Sequence, residues 1–191
     1  MLRRKLLLTP AVLAMSLGLL SACSTNEAAK ETPAQQKAAI EAGYDATMAT
    51  LYKSVPGSRE LASKARAILV FPKVYAAGLV VGGEYGEGAL RAGGQTVDYY
   101  KTTAASFGFQ AGAQSKALIY FFMTQKAYDD FRKSSGWTAG VDGSVALIQV
   151  GANGGIDTKS YDNAVNAFAL TNGGLMAAAT VAGSKIAKLE F

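Results

Sequence analysis

The 191-residue chain has no histidine and a single cysteine, Cys23. The missing imidazole excludes histidine-based catalytic triads, the usual acid/base group near neutral pH and the commonest zinc ligand. A lone thiol cannot form an intramolecular disulfide, so stability must come from a buried core. No Ser-x-x-Lys sequence occurs. Carboxylates, lysines and tyrosines are the remaining catalytic candidates, and the reading favoured is a non-enzymatic protein with no cofactor and no metal. No basic block with interleaved aromatics appears, so a nucleic-acid partner is not expected.

What is present starts with a leader. Arg3, Arg4 and Lys5 precede an apolar run from Leu6 to Leu20. That run falls short of the ~20 residues of a membrane-spanning helix and fits the core of a signal peptide. It ends in Leu20, Ser21, Ala22 and Cys23, which resembles the preferred site of a lipoprotein peptidase. Residues 1–22 are therefore read as a cleaved leader and Cys23 as the lipidated first residue. Each buried acyl methylene contributes ~0.8 kcal/mol, and more than one chain gives stable anchoring. Ser24 follows where an Asp would favour inner-membrane retention in enterobacterial-type sorting, so the outer membrane facing the periplasm of a Gram-negative cell is expected. Loss of Arg3, Arg4 and Lys5 lowers the formal charge of +5 by three, to +2.

Residues 23–36, polar and alanine-rich, read as a flexible tether. Ile40, Tyr44, Met48, Leu51 and Val55 recur at helical spacing, with Lys37, Glu41, Asp45 and Lys53 opposite. This predicts an amphipathic helix ending at Pro56 and Gly57, packed on a core in preference to a membrane surface. Ser58 is expected to cap a second short helix. Ile68 to Phe71 reads as a strand closed by Pro72. Short glycine-punctuated apolar segments follow from Tyr75 to Gly151, with Gly93 and Gly94 as a hairpin turn. A further helix is expected near 124–134, capped by Thr124 and ended by Gly136. Ala164 to Leu170 and Leu175 to Val181 read as a final hairpin around Asn172, Gly173 and Gly174, with a helix the alternative for 162–170. The fold class is α+β: N-terminal helices packed on a strongly coiled antiparallel sheet or partial barrel.

Lys53, Arg59, Lys64, Arg66 and Lys73 cluster between the first helix and the first strand. Gathered on one face they would attract anionic lipid head groups; dispersed, they are solvated charge. Gly82 to Gly88 reads first as a tight turn, second as a pocket wall holding Tyr85 and Glu87. Gln110 and Gln114 either tie turn backbone or face a polar ligand. Phe107, Phe109, Tyr120, Phe121, Phe122 and Trp137 read as core in preference to a ligand wall.

Lys64 to Val74 resembles the opening segment of SYLF domains. Gly82 to Gly88 is similar to their glycine-rich turn, and Ser106 to Ser115 to their central motif, followed by the apolar strand Ala117 to Met123. Trp137 to Ala146 resembles the segment after that, and the likeness covers roughly 38–191. The resemblance implies a lipid-binding domain; eukaryotic relatives bind phosphoinositide-containing membranes and some engage actin. This chain departs from them in lacking SH3 or FYVE modules and in having a lipidated tether where an amphipathic membrane-inserting segment would stand. The expected function is binding of anionic membrane lipids beside the anchoring bilayer. The alternative is an envelope lipoprotein with a structural or protein-interaction role and an envelope protein as partner.

Overall fold

The computed structural model describes residues 31–78, 81–107, 114–148, 156, 161–171, 174–175 and 181–191. The leader, Cys23, Phe109 and Gln110 lie outside the described residues, as do the side chains of Phe107 and Gln114. Two helices come first, α1 (Pro33–Ser54) and α2 (Ser58–Lys64). Four long strands follow: β1 (Ala67–Gly78), β2 (Val81–Ala92), β3 (Gln95–Phe107) and β4 (Gln114–Phe122). Then come α3 (Gln125–Lys133), the short strands β5 (Trp137–Thr138) and β6 (Ala146–Leu147), β7 (Val165–Thr171), β8 (Gly174–Leu175) and β9 (Lys185–Lys188).

The described strands form one sheet in the order β5-β9-β3-β2-β1-β4-β7-β6, with β8 paired to β7. The sheet curls: the Trp137 ring, from one edge strand, lies 6.3 Å from Tyr120 and 6.2 Å from Phe122 in distant β4. Both faces are buried, which explains the unbroken apolar runs of β1 and β4. Leu69, Phe71, Leu118, Tyr120 and Phe122 point to a core shared with Phe131 of α3 and Trp137. Val70, Ile119, Phe121, Phe168 and Leu170 point the other way, to a core closed by Ile40, Tyr44, Met48 and Leu51 of α1 and Leu61 of α2. Alternate residues of a strand face opposite sides, so each run feeds both layers.

Several expectations change. The sheet is mixed, because β6 pairs with β7 in parallel. The first helix starts at Pro33, a residue suited to the first helical turn, so four residues read as tether are helical. Ser58 does not cap α2. Gly57, with φ 87°, holds the cap position. The buried Ser58 hydroxyl instead donates to the Val55 carbonyl at 2.6 Å, just past the end of α1, where the Ser58 N–H also bonds. Thr124 caps α3 as expected, accepting from the Ala127 N–H at 3.2 Å, but the helix stops at Ser134, before Gly136. The Gly93-Gly94 hairpin is present with φ of 60° and 81°, and Leu170 pairs with Leu175 in the final one. Strand β9 had no counterpart among the expected elements.

The largest correction concerns Pro72 and the glycine-rich stretch. Pro72 does not end β1; the strand runs through it by a bulge. Register with β2 shifts between Val70 and Lys73, and with β4 between Phe71 and Val74. A bulge tolerates a residue without an N–H and exchanges the faces that later side chains occupy. Val74 thereby joins the Leu69 and Phe71 side, and Lys73 turns to the α1 side. Gly82 to Gly88 is no turn but the middle of β2, paired on both sides. The bulge explains the glycine at 88: a Cβ there would lie 2.2 Å from the Val70 carbonyl oxygen. A Cβ at Gly43 of α1 would lie 2.7 Å from Pro72, so the helix sits directly on the bulge.

Gly88→Ala is therefore expected to lower stability by about 2 kcal/mol or more, as overpacking against backbone does. Gly83→Ala, whose nearest contact is at 4.0 Å, should be close to neutral. Urea denaturation of the two variants checks this.

Candidate functional site

Helix α1 crosses the sheet and leaves a depression along each flank. The larger is an open groove of about 630 Å³ between α1, α2, the start of β1 and the β2–β3 hairpin. Its chemistry comes from three arginines, Arg59, Arg66 and Arg91, and two tyrosines, Tyr44 and Tyr52. Helical spacing puts Tyr44, Met48 and Tyr52 on one line facing it.

Arg91 is the anchor of the wall. Its guanidinium lies over the Tyr44 ring at 3.9 Å, binds Asp45 Oδ1 at 2.5 Å and donates to Glu41 Oε2. Glu41 Oε1 also accepts from the Thr96 hydroxyl at 2.7 Å and the Tyr99 hydroxyl at 2.9 Å. One carboxylate of α1 thus gathers donors from β2 and β3. Burial pushes the Glu41 carboxyl upward, but the hydrogen bonds from Arg91, Thr96 and Tyr99 and the Arg91 charge outweigh it, leaving it below the ordinary value. Burial opposes the charged guanidinium of Arg91, while the bonds to Asp45 and Glu41 hold its pKa above the ordinary one.

The other two arginines are less constrained. Arg59 stacks over the Tyr52 ring at 4.3 Å. Among the described residues neither Arg59 nor Arg66 makes an ion pair with a carboxylate. Both are exposed and both line the groove. With Glu41 and Asp45 set against three arginines, one net positive charge remains, concentrated at Arg59 and Arg66.

The five expected basic residues do not gather. Arg59 and Arg66 share the groove. Lys64 pairs with Glu60 at 2.8 Å and lies over the Tyr161 ring at 4.2 Å; its hydrogen bond to Glu60 raises its pKa. Lys53 is exposed on α1, lining neither depression. Lys73 belongs to the opposite flank, where a smaller cleft of about 200 Å³ lies beside Thr47, Ser115 and Lys116. Tyr85 and Glu87 stand on β2, away from the arginine groove. The Tyr85 hydroxyl donates to Glu87 Oε1 at 2.7 Å, and its pKa is pushed up to about 12 by burial and by that carboxylate. Gln114 begins β4 opposite Ala76. Tyr120, Phe121, Phe122 and Trp137 are core, as read from the sequence. The residue that sequence reasoning missed is Arg91. Glu41 and Asp45, one helical turn apart, were the available signal, since two carboxylates at i and i+4 invite a cation between them.

Because the Glu41 carboxyl titrates lower in the folded chain, its contribution to stability is complete above the unfolded value and is lost as pH falls through the folded one. Glu41→Gln should be less stable than the parent at pH 7. That difference should shrink below about pH 4. Thermal melts across pH 3 to 7 test it.

Residues 103–190 match the family model described as Ysc84, Las17-binding protein actin regulator. No curated protein matches the sequence. The matched segment runs from within β3 to the C-terminal end of the sheet, so Arg59, Arg66 and Arg91 lie before it. Residues 103–190 thus carry a SYLF domain match, and the order of segments from Lys64 to Ala146 and the curled α+β architecture agree with it.

Proposed function

We propose that this protein is a lipid-anchored, non-catalytic component of the cell envelope whose SYLF domain binds anionic lipid head groups in the arginine groove. The observation that carries the reading is the pair Arg59 and Arg66, which face an open groove without a carboxylate partner among the described residues. A guanidinium offers a planar fork of donors that matches a phosphate group. Arg91 shapes the wall, its charge already met by Glu41 and Asp45. The groove's tyrosines and methionine offer apolar surface for the glycerol and upper acyl region of a lipid. Its carboxylate, Asp45, is tied to Arg91, so the groove is built to hold a ligand and not to move protons.

Anchoring comes from Cys23, through the leader pattern that precedes it. No helix among the described residues is long and apolar enough to cross a membrane. A lipid on Cys23 would hold the domain at the bilayer and raise the local concentration of head groups. The outer membrane facing the periplasm is the proposed site, given Ser24. The actin-directed role in the family description does not carry over to a protein in that compartment, where actin is not met.

Two measurements test this. Basic residues near an anionic surface contribute about 1 kcal/mol each, so Arg59→Gln with Arg66→Gln should weaken binding to anionic vesicles about thirtyfold. The loss should be largest at low salt, and binding to neutral vesicles should stay weak throughout. Equal binding to both vesicle types, or no effect of the double substitution, refutes the head-group assignment. Separately, mass spectrometry of the mature protein should find its N-terminus at Cys23 carrying acyl chains; an unmodified Cys23 would refute the anchor.

A further inference from the structure

The opposite flank of α1 carries a different chemistry. Tyr75 of β1 and Tyr85 of β2 pair directly across the ladder, and both are about half exposed, at 52% and 44%. Two positions along the ladder, Lys73 and Glu87 also pair. Strand alternation puts all four on one sheet face. Their neighbours on that face are small: Thr103 stands opposite Tyr85, Ser115 opposite Tyr75, and Gly83 and Ala105 oppose each other one step beyond. The two rings therefore stand clear of their surroundings. Isolated exposed tyrosines are ordinary, but a cross-strand pair flanked by small residues makes a broad aromatic surface.

Fixed polar groups border it. The Glu87 carboxylate is held from both sides, accepting from the Tyr85 hydroxyl and from Gln36 Nε2 of α1, each at 2.7 Å. Lys73 Nζ lies 5.6 Å from the centre of the Tyr75 ring. Beyond Ser115 the surface drops into the 200 Å³ cleft, where Thr47, Thr50 and Ser115 supply hydroxyls. Lys101 of β3 stands opposite Glu87 on the side away from Lys73, so two lysines and one already bonded carboxylate border the rings.

We infer that this surface is a saccharide-binding platform for a chain of hexopyranose rings presented by the surrounding envelope. The ligand must lay an apolar face on the tyrosines and present hydroxyls at its rim to the carboxylate, ammonium and hydroxyl groups around them. A sugar ring does both: its axial C–H groups, carrying partial positive charge, meet the negative faces of the rings. A phosphate group makes no use of two exposed ring faces, and an apolar peptide would leave the polar rim unpaired on burial. The cleft is smaller than the ~300 Å³ of pockets that enclose a whole small molecule, which suits one ring of a longer chain.

The test uses the mature chain with Cys23→Ser, sedimented with two insoluble glycans, purified murein sacculi and a neutral glucan. Retention on at least one is expected, and Tyr75→Ala and Tyr85→Ala should each weaken it about tenfold. Tyr75→Phe, which keeps the ring, should retain binding. The alanine variants should still melt as the parent does and bind anionic vesicles unchanged, while Arg59→Gln with Arg66→Gln should leave glycan retention intact. No retention of the parent on either glycan, or retention indifferent to both alanine substitutions, overturns the platform. Neither result bears on the arginine groove, whose own failure would be read on vesicles.

Discussion

The seating of α1 on the β1 bulge is the constraint on which the rest depends. The helix touches down where Gly43 meets Pro72, an approach that a Cβ at position 43 would block. Opposite, the bulge presses so close to β2 that position 88 must be glycine. From that contact the helix axis is set across the sheet, and both depressions exist only as its flanks. The Arg91, Glu41 and Asp45 cluster then ties one flank to the β2–β3 hairpin, while Gln36 ties the start of the helix to Glu87. Polar contacts of this kind contribute modestly to stability, but they set orientation, and orientation is what shapes the grooves.

A sheet buried on both faces has a consequence for where function can sit. Its central strands are taken up by packing: β4 runs from Leu118 to Phe122 without an exposed residue. Ligand contacts must come from the rims of α1, from α2 and from the stretches of β1 and β2 that the helix leaves uncovered. The two depressions divide those contacts by chemistry. Arginine and tyrosine dominate one, with charge in excess at Arg59 and Arg66. Hydroxyls and two standing tyrosine rings mark the other. A single helix thus separates two surfaces of unlike chemistry within one small domain.

Local patterns were legible. The apolar spacing of α1, the Thr124 cap of α3 and the Gly93-Gly94 hairpin all act over a few residues, where backbone preference and side-chain period dominate. Pro72 misled because its usual effect is to end a strand; a bulge absorbed it, and no local signal distinguishes the two outcomes. The glycines from Gly82 to Gly88 misled similarly, since glycine serves turns and close approaches alike, and only the neighbouring strand tells which.

By itself the sequence determined the chemical inventory: no imidazole, one thiol just after an apolar run, and unbroken apolar segments able to feed both faces of a sheet. Tertiary structure decided which charges meet. Arg91 lies 46 residues from Asp45 in the chain, and their contact follows from the hairpin folding under the helix. The bulge shifts the strand's alternation by one residue and brings Lys73 onto the face that α1 covers, yet the helix seated on Pro72 stands between it and Arg59 and Arg66. A period of two carries no memory across such an insertion, so the face a residue occupies beyond it is a property of the paired sheet and not of the string of letters.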